Sequence, residues 1–409
     1  MCQYFYPEYV SSATLPTELA EDLVMDGLTV DVLCGYPKEY YDGKNIPRNE
    51  RYNGINIHRV KYTRFNNKNK IGRITNFCSF FIAILMRSFN LFKYKCILVY
   101  SNPPLLPLIP YVVSRLSKVK FVFVAFDLYP DNALVMRAIK KGGIIEKIMH
   151  FINKKVYKYA DSVVAIGTEM KQYMISHGIA INPEIINIIP NWYSEEKLSS
   201  PILISDEFRR LREKWPFIVL YSGNMGACQD METILKTVSR FKNNENIFFI
   251  FTGHGNKLEY VKRYININGI NNAKVYGFLL GTDYSDVLNI ADVCLVSLEK
   301  GIEGLGVPSK TYGYFAAGKP VLAIMSYETD IVKNLNEYNA GGSVLQTDVD
   351  GFENLIWRFM ENKELVRICG ENAKAVFHAL YDRQICTDMY YKLITRIINE
   401  TEEGDIRDV

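Results

Sequence analysis

The chain has 409 residues, 48% of them hydrophobic and 23% charged, which is too apolar for a disordered chain and long enough for two or three packed cores. A net charge of +3 falls short of the basic footprint of a nucleic-acid binder. The eight cysteines form no CxxC pair and have no histidine at metal-ligand spacing, so they read as reduced thiols rather than a disulfide framework or zinc site.

In chain order, Met1 runs into Tyr4-Phe-Tyr-Pro-Glu8 rather than a basic and then apolar leader, so the expected location is the cytoplasm. A helix is expected over 16–25 and a strand over 28–34. Further strands are expected at 97–100, 120–125 and 162–166, with helices over 74–91, 105–116, 144–159 and 169–177. In the second half, strands at 217–222, 247–252, 273–276, 293–296, 320–324 and 342–345 alternate with helices. This alternation predicts an α/β chain with two doubly wound sheets, each parallel and covered by helices. A proline and a polar segment from Pro190 to Lys197 place the boundary there, giving domains 1–197 and 198–409, the last helix able to pack back on the first domain. Only a short run precedes the first loop, so the first strand of the N-terminal domain is expected to be truncated.

The halves differ in charge. Residues 1–197 carry 25 Lys and Arg against 17 Asp and Glu, leaving 23 against 28 for the remainder. The excess sits in 51–100, which has ten basic and no acidic residues and contains the apolar run 77–86. That run is shorter than the roughly 20 residues that span a bilayer. A basic stretch joined to an amphipathic helix can be a solvated face or a contact with an anionic membrane surface.

The densest motif is Glu303-Gly-Leu-Gly-Val-Pro-Ser-Lys310, closed by Ala316-Ala-Gly-Lys-Pro320. Gly304 and Gly306 permit a tight turn and close approach to a ligand, Pro308 is placed to open a helix, and Lys310 adds a full charge to its first turn. A helix start beside a glycine turn suits a diphosphate; the same residues also suit a plain loop–helix–strand corner. Ser222, Gly223, Asn224 and Gly226 follow one strand, and Gly253, His254 and Gly255 another. His254 can approach a nucleotide there or remain an exposed loop histidine. Asp127 lies just past the apolar run 120–125, as an active-site carboxylate or as the cap of the next turn.

Together these stretches resemble the family 4 glycosyltransferases of the retaining GT-B class, bacterial surface-polysaccharide enzymes above all, and the likeness spans nearly the whole chain. It implies two Rossmann-like domains and transfer of a sugar from a nucleotide diphosphate, expected to be UDP, to a lipid-linked saccharide. It places Glu303 at the sugar hydroxyls, Lys310 at the diphosphate, and Gly304, Leu305, Gly306, Val307, Pro308 and Ser309 around the donor. Glu8, Ser11, Ser12 and Asp127 fall on the acceptor side. The second glutamate of the family motif is missing, since counting forward gives Thr311 and counting back gives Gly313. Asn224 and Gln229 stand where many relatives carry Arg and Lys. No DxD motif ends a strand, and neither a cofactor nor a metal is expected. The expected setting is the inner face of the cell membrane, contacted through residues 51–95. A sugar-nucleotide 2-epimerase and a non-catalytic GT-B subunit remain as alternatives.

Overall fold

The computed structural model describes residues 1–37, 46–65, 70–136, 138–179, 182–198 and 205–407, with 70 and 401–407 as backbone only. The chain divides into two compact units, Met1–Asn191 together with Arg383–Val409, and Trp192–Asp382. The seam therefore lies before Trp192 rather than after Lys197. The last helix, numbered with the second domain in the sequence reading but expected to be able to pack back on the first, belongs to the first unit.

The first unit begins with α1 (Ser11–Met25), β1 (Asp31–Gly35), β2 (Asn49–Tyr52) and β3 (Ile55–Val60). After α2 (Lys70–Leu85) and a 3-10 turn at Ser88–Lys93 come β4 (Cys96–Tyr100), α3 (Leu108–Leu116), β5 (Lys120–Ala125), α4 (Asp131–Val135), α5 (Ile144–Tyr159), β6 (Ser162–Ala165), α6 (Thr168–Ser176) and β7 (Ile186–Ile188). The strands form two runs, β1-β3-β2 and β4-β5-β6-β7. Residues 1–3 lie between them. The Met1 ammonium donates to Leu98 O at 2.6 Å, Tyr100 N donates to Met1 O, Cys2 N to Leu33 O and Gly35 N to Gln3 O.

Two local differences from the sequence reading have plain causes. Helix α1 starts at Ser11 and carries Pro16 inside it; Thr17 Oγ1 accepts from Tyr6 N at 3.1 Å and donates to Ala13 O at 2.8 Å, so the turn before the proline is held by a side chain. The unexpected β2–β3 hairpin turns on Asn53-Gly54, both at positive φ, the Asn-Gly signal of a two-residue hairpin loop. Arg59, fully buried in β3, pairs with Glu50 at 2.6 Å and donates to Tyr6 O and Pro47 O at 3.0 Å.

The second unit runs α7 (Asp206–Lys214), β8 (Phe217–Asn224), α8 (Met231–Arg240), β9 (Ile247–His254), α9 (Leu258–Ile267), β10 (Ala273–Val275), α10 (Gly281–Ile290), β11 (Val293–Ser297), α11 (Lys310–Ala316), β12 (Val321–Ile324), α12 (Asp330–Tyr338), β13 (Gly341–Val344), α13 (Val349–Glu361) and α14 (Lys363–Val376). Its parallel sheet has the order β10-β9-β8-β11-β12-β13. The chain works outward from β8 in one direction and then restarts at β11, so the switch point lies between these two strands, where open sheets bind ligands beyond their carboxyl ends. Phe217, Val219 and Tyr221 pack on one face of β8, and Ile218 and Leu220 on the other. Burial on both faces explains the continuous apolar run.

The C-terminal helix α15 (Arg383–Arg407) completes the first unit. Its first residue, Arg383, forks onto Asp22 of α1 at 2.6 and 2.9 Å and reaches Glu21 at 3.0 Å and Glu18 O at 3.2 Å.

Candidate active site

In the second unit, β8 and β9 run two residues past the expected strands, pairing Gly223 with Gly253 and Asn224 with His254. Glycine makes this possible: a Cβ on Gly253 would lie 2.0 Å from Gly223 O, and both residues have positive φ. Two glycine motifs that are separate in sequence thus become neighbours at the carboxyl ends of β8 and β9, beside the switch point. Gly255 is equally constrained, because a Cβ there would lie 2.4 Å from Met225 O. The loop after β8 is closed internally, Gly226 N donating to Gln229 Oε1 at 2.8 Å and Met225 N to His254 O at 2.6 Å. Gln229 is thereby committed to shaping the turn.

Lys310 meets this turn from α11. Its Nζ lies 3.8 Å from the centroid of the Tyr221 ring and 3.4 Å from Asn224 O. A Cβ on Gly223 would come within 3.1 Å of its Cε. Among the described residues no carboxylate pairs with this ammonium. The side chain is half-buried, and burial lowers its pKa to about 7. The geometry is that of a cation held against backbone without its counter-ion.

The same short helix is pinned to β8 by Tyr314, whose hydroxyl accepts from Ser222 N at 2.8 Å and donates to Ser222 O at 2.9 Å. Helix α11 begins at Lys310 with Ser309 as its N-cap, so Pro308 precedes the helix rather than opening it. Gly304 needs glycine, with φ of 82°, whereas Gly306 has neither a positive φ nor a close neighbour. Leu305 and Pro308 are buried, Val307 packs against the core, and Ser309 is exposed. Glu303 is oriented by Gly301 N at 2.7 Å and Gln346 Nε2 at 3.0 Å. The two positions counted for a second glutamate face the interior: Thr311 is fully buried, and a Cβ on Gly313 would touch Tyr193 at 3.3 Å.

His254 closes the sheet end, edge-on to Phe278 at 5.3 Å. Burial, then the Lys310 charge, lowers its pKa. Lys257 and Glu299 were not marked in the sequence: they pair at 2.6 Å, and Lys257 also donates to Gln229 O at 2.6 Å. Separated widely in the chain, they brace the loop from outside. Among the described residues no three His, Cys, Asp or Glu side chains are grouped to hold a metal ion.

In the first unit Asp127 follows β5. Its backbone N donates to Ser101 Oγ at 3.1 Å and its Oδ1 accepts from the Asn132 side chain at 2.8 Å. It does not cap α4, whose N-cap is Pro130. Burial raises its pKa to about 6, opposed by the Asn132 bond. Glu8 is buried in the loop before α1, and Ser11 and Ser12 form the first turn of that helix.

Residues 13–197 match the model of glycosyltransferase family 4, and residues 205–376 that of the glycosyl transferases group 1. The folded chain superimposes on the Anabaena protein HepE, crystallised with UDP and glucose, at a TM-score of 0.68 and 13% identity, covering 93% of this chain and 94% of that one. It matches WaaG, described as a glycosyltransferase involved in lipopolysaccharide biosynthesis, at a TM-score of 0.67 and 13% identity, covering 96% and 98%. The chain is a family-4-like glycosyltransferase with the GT-B fold, an enzyme of the transferase class. In sequence it is similar to "Probable glycosyltransferase WbjE" of Pseudomonas aeruginosa, with 27% identity over 312 residues, 74% of each chain.

Proposed function

We propose that this transferase moves a hexosyl or N-acetylhexosaminyl group from a UDP-sugar to a lipid-linked saccharide, with retention, in bacterial surface-glycan assembly. The observation that carries the donor side is the Lys310 ammonium, poised over the Gly223–Asn224 turn with no carboxylate partner among the described residues. A diphosphate supplies the missing counter-ion, and the backbone of 222–226 supplies close approach without side-chain obstruction. Glu303, already fixed by two donors, takes the sugar hydroxyls. In the transfer step the bond from C1 to the phosphate oxygen breaks with its electrons passing to the diphosphate, where Lys310 stabilises them. The acceptor hydroxyl bonds C1 on the same face and gives its proton to a donor phosphate oxygen.

The acceptor role falls to the first unit, to Asp127 with Glu8, Ser11 and Ser12. HepE with UDP and glucose supports a UDP-sugar donor, and the lipopolysaccharide role stated for WaaG supports a surface glycan. For peripheral contact with the inner face of the membrane, the supporting pattern is a stretch from Arg51 to Phe126 without one acidic residue. It exposes Ile71, Ile74, Met86 and Phe89 near Arg73 and Arg87. Residues 66–69 of that stretch lie outside the described residues, and no described helix is long and apolar enough to cross a membrane.

The test is transfer from a panel of UDP-, GDP- and TDP-sugars to a polyprenyl-diphosphate saccharide, with and without EDTA, the anomeric configuration read by NMR. EDTA-insensitive transfer from a UDP-sugar with retained configuration, lost in Glu303→Ala, is expected. Inversion, a requirement for metal, or UDP binding without turnover of any acceptor would overturn the corresponding part of the reading.

A further inference from the structure

The last apolar residue of β8 before the donor turn is Tyr221. It is fully buried and packs on the face of β8 that carries Phe217 and Val219, with the Phe251 ring of β9 tilted against it at 6.2 Å. A buried tyrosine ordinarily packs its ring and finds one partner for its hydroxyl. Here the hydroxyl donates to Asn224 O at 2.9 Å, across the turn that follows its own strand. The ring is thereby clamped by the core at one end and by the turn at the other.

Packing leaves the use of the remaining ring face unexplained. Lys310 Nζ lies 3.8 Å from the ring centroid, well inside the reach of a cation–π contact. The nearest backbone acceptor of this ammonium, Asn224 O, lies at 3.4 Å, long for a charge-assisted hydrogen bond, and already accepts the Tyr221 hydroxyl. Gly223 opens the way to the ring, because a Cβ there would press within 3.1 Å of Lys310 Cε. The other groups that face the lysine supply no negative charge. From β9 comes His254, its pKa lowered by burial and then by the Lys310 charge. From α11 comes Tyr314, whose hydroxyl stays on the Ser222 backbone.

We infer that Tyr221 is a positioning residue of the donor site, its ring face holding the Lys310 ammonium over the Gly223–Asn224 turn both before and after a diphosphate binds. The inference rests on the reading of Lys310 as the cation of the diphosphate. An aromatic face suits this task because its quadrupole attracts a cation while the ring carries no net charge. A carboxylate in the same place would pair with the lysine and repel the donor. Burial raises the Tyr221 pKa, so the phenol stays neutral.

The experiment compares Tyr221→Phe with phenylalanine analogues at position 221 carrying one, two or three ring fluorines, which keep the shape and drain the ring face of negative charge. Phenylalanine is the parent because fluorine would acidify a phenol. UDP binding by the full chain is measured by calorimetry from about pH 6.5 to 9.5, beside wild type and Lys310→Met, with thermal melting as the check on folding. In wild type and Tyr221→Phe the affinity is expected to start falling near pH 7. With three fluorines the fall should start about one pH unit lower, leaving affinity at pH 8.5 about tenfold weaker, in steps graded with fluorine number. Fluorination that alters melting without moving the pH of this fall would leave Tyr221 a packing residue and overturn the inference. Affinity that rises with fluorination would overturn it too, since the ring would then be a resting place that the ammonium leaves on binding. A wild-type fall that is absent, or that persists in Lys310→Met, would overturn the reading of Lys310 and this inference with it.

Discussion

Replacing Lys310 by methionine keeps most of the side-chain volume and removes the charge, and the structure makes opposite predictions for stability and for binding. Folding carries the lysine pKa from an ordinary 10.5 to about 7. At 1.36 kcal/mol per pH unit that is a penalty of at most about 5 kcal/mol, and with part of the side chain open to solvent about 1–2 kcal/mol is realistic. Because the folded pKa is depressed, the unfolded chain binds the extra proton between about pH 7 and 10.5, so wild-type stability rises with pH across that window. The variant lacks this rise. Lys310→Met should therefore melt about 3–6 °C higher at pH 6.5, with the advantage shrinking toward pH 10. Loss of a charge-assisted contact to the diphosphate should weaken UDP binding about 10- to 150-fold, measured by calorimetry. A variant that is less stable and binds UDP normally would refute the assignment of this lysine to an anion.

Proton linkage at the same residue predicts that wild-type UDP affinity falls as pH rises above about 7, toward tenfold per pH unit, and that Lys310→Met abolishes the slope in a pH series of titrations. Tyr314→Phe strands both backbone groups of Ser222 and should cost about 1–3 kcal/mol on thermal melting, with UDP affinity falling alongside. Asp127→Asn should remove an acid limb near pH 6 from the kcat/KM profile, since the carboxylate is the form proposed to meet the acceptor. Arg383→Ala leaves the nearly buried Asp22 without its fork and should destabilise the first unit by about 3–5 kcal/mol, read as an early transition in the melt.

Some elements were legible because one local signal sufficed. Strand β5 and helix α5 have the expected bounds: the first is a compact apolar run, the second a helical periodicity starting after Gly143. The β2–β3 hairpin was hidden because β2 is polar and β3 carries a buried arginine, although Asn53-Gly54 announced the turn. Within the site, glycine was informative wherever backbone meets backbone, at Gly223, Gly253 and Gly255, and uninformative at Gly306, where nothing is close. Tyr314 could not be distinguished from a core aromatic, since its role depends on a strand end far away in the chain. The Lys257–Glu299 pair was invisible for the same reason. Asn224 and Gln229 read in the sequence only as departures from the Arg and Lys of many relatives; in the fold Gln229 holds the turn that Lys310 overlooks.

The return of the chain at Arg383 has a consequence for biogenesis. The first unit is assembled from the two ends of the polypeptide, so during vectorial synthesis it waits for its last helix while the second unit, contiguous in sequence, emerges whole and can fold earlier. Nonsense mutations or proteolytic trimming beyond Arg383 would leave the second unit formed and strike the first.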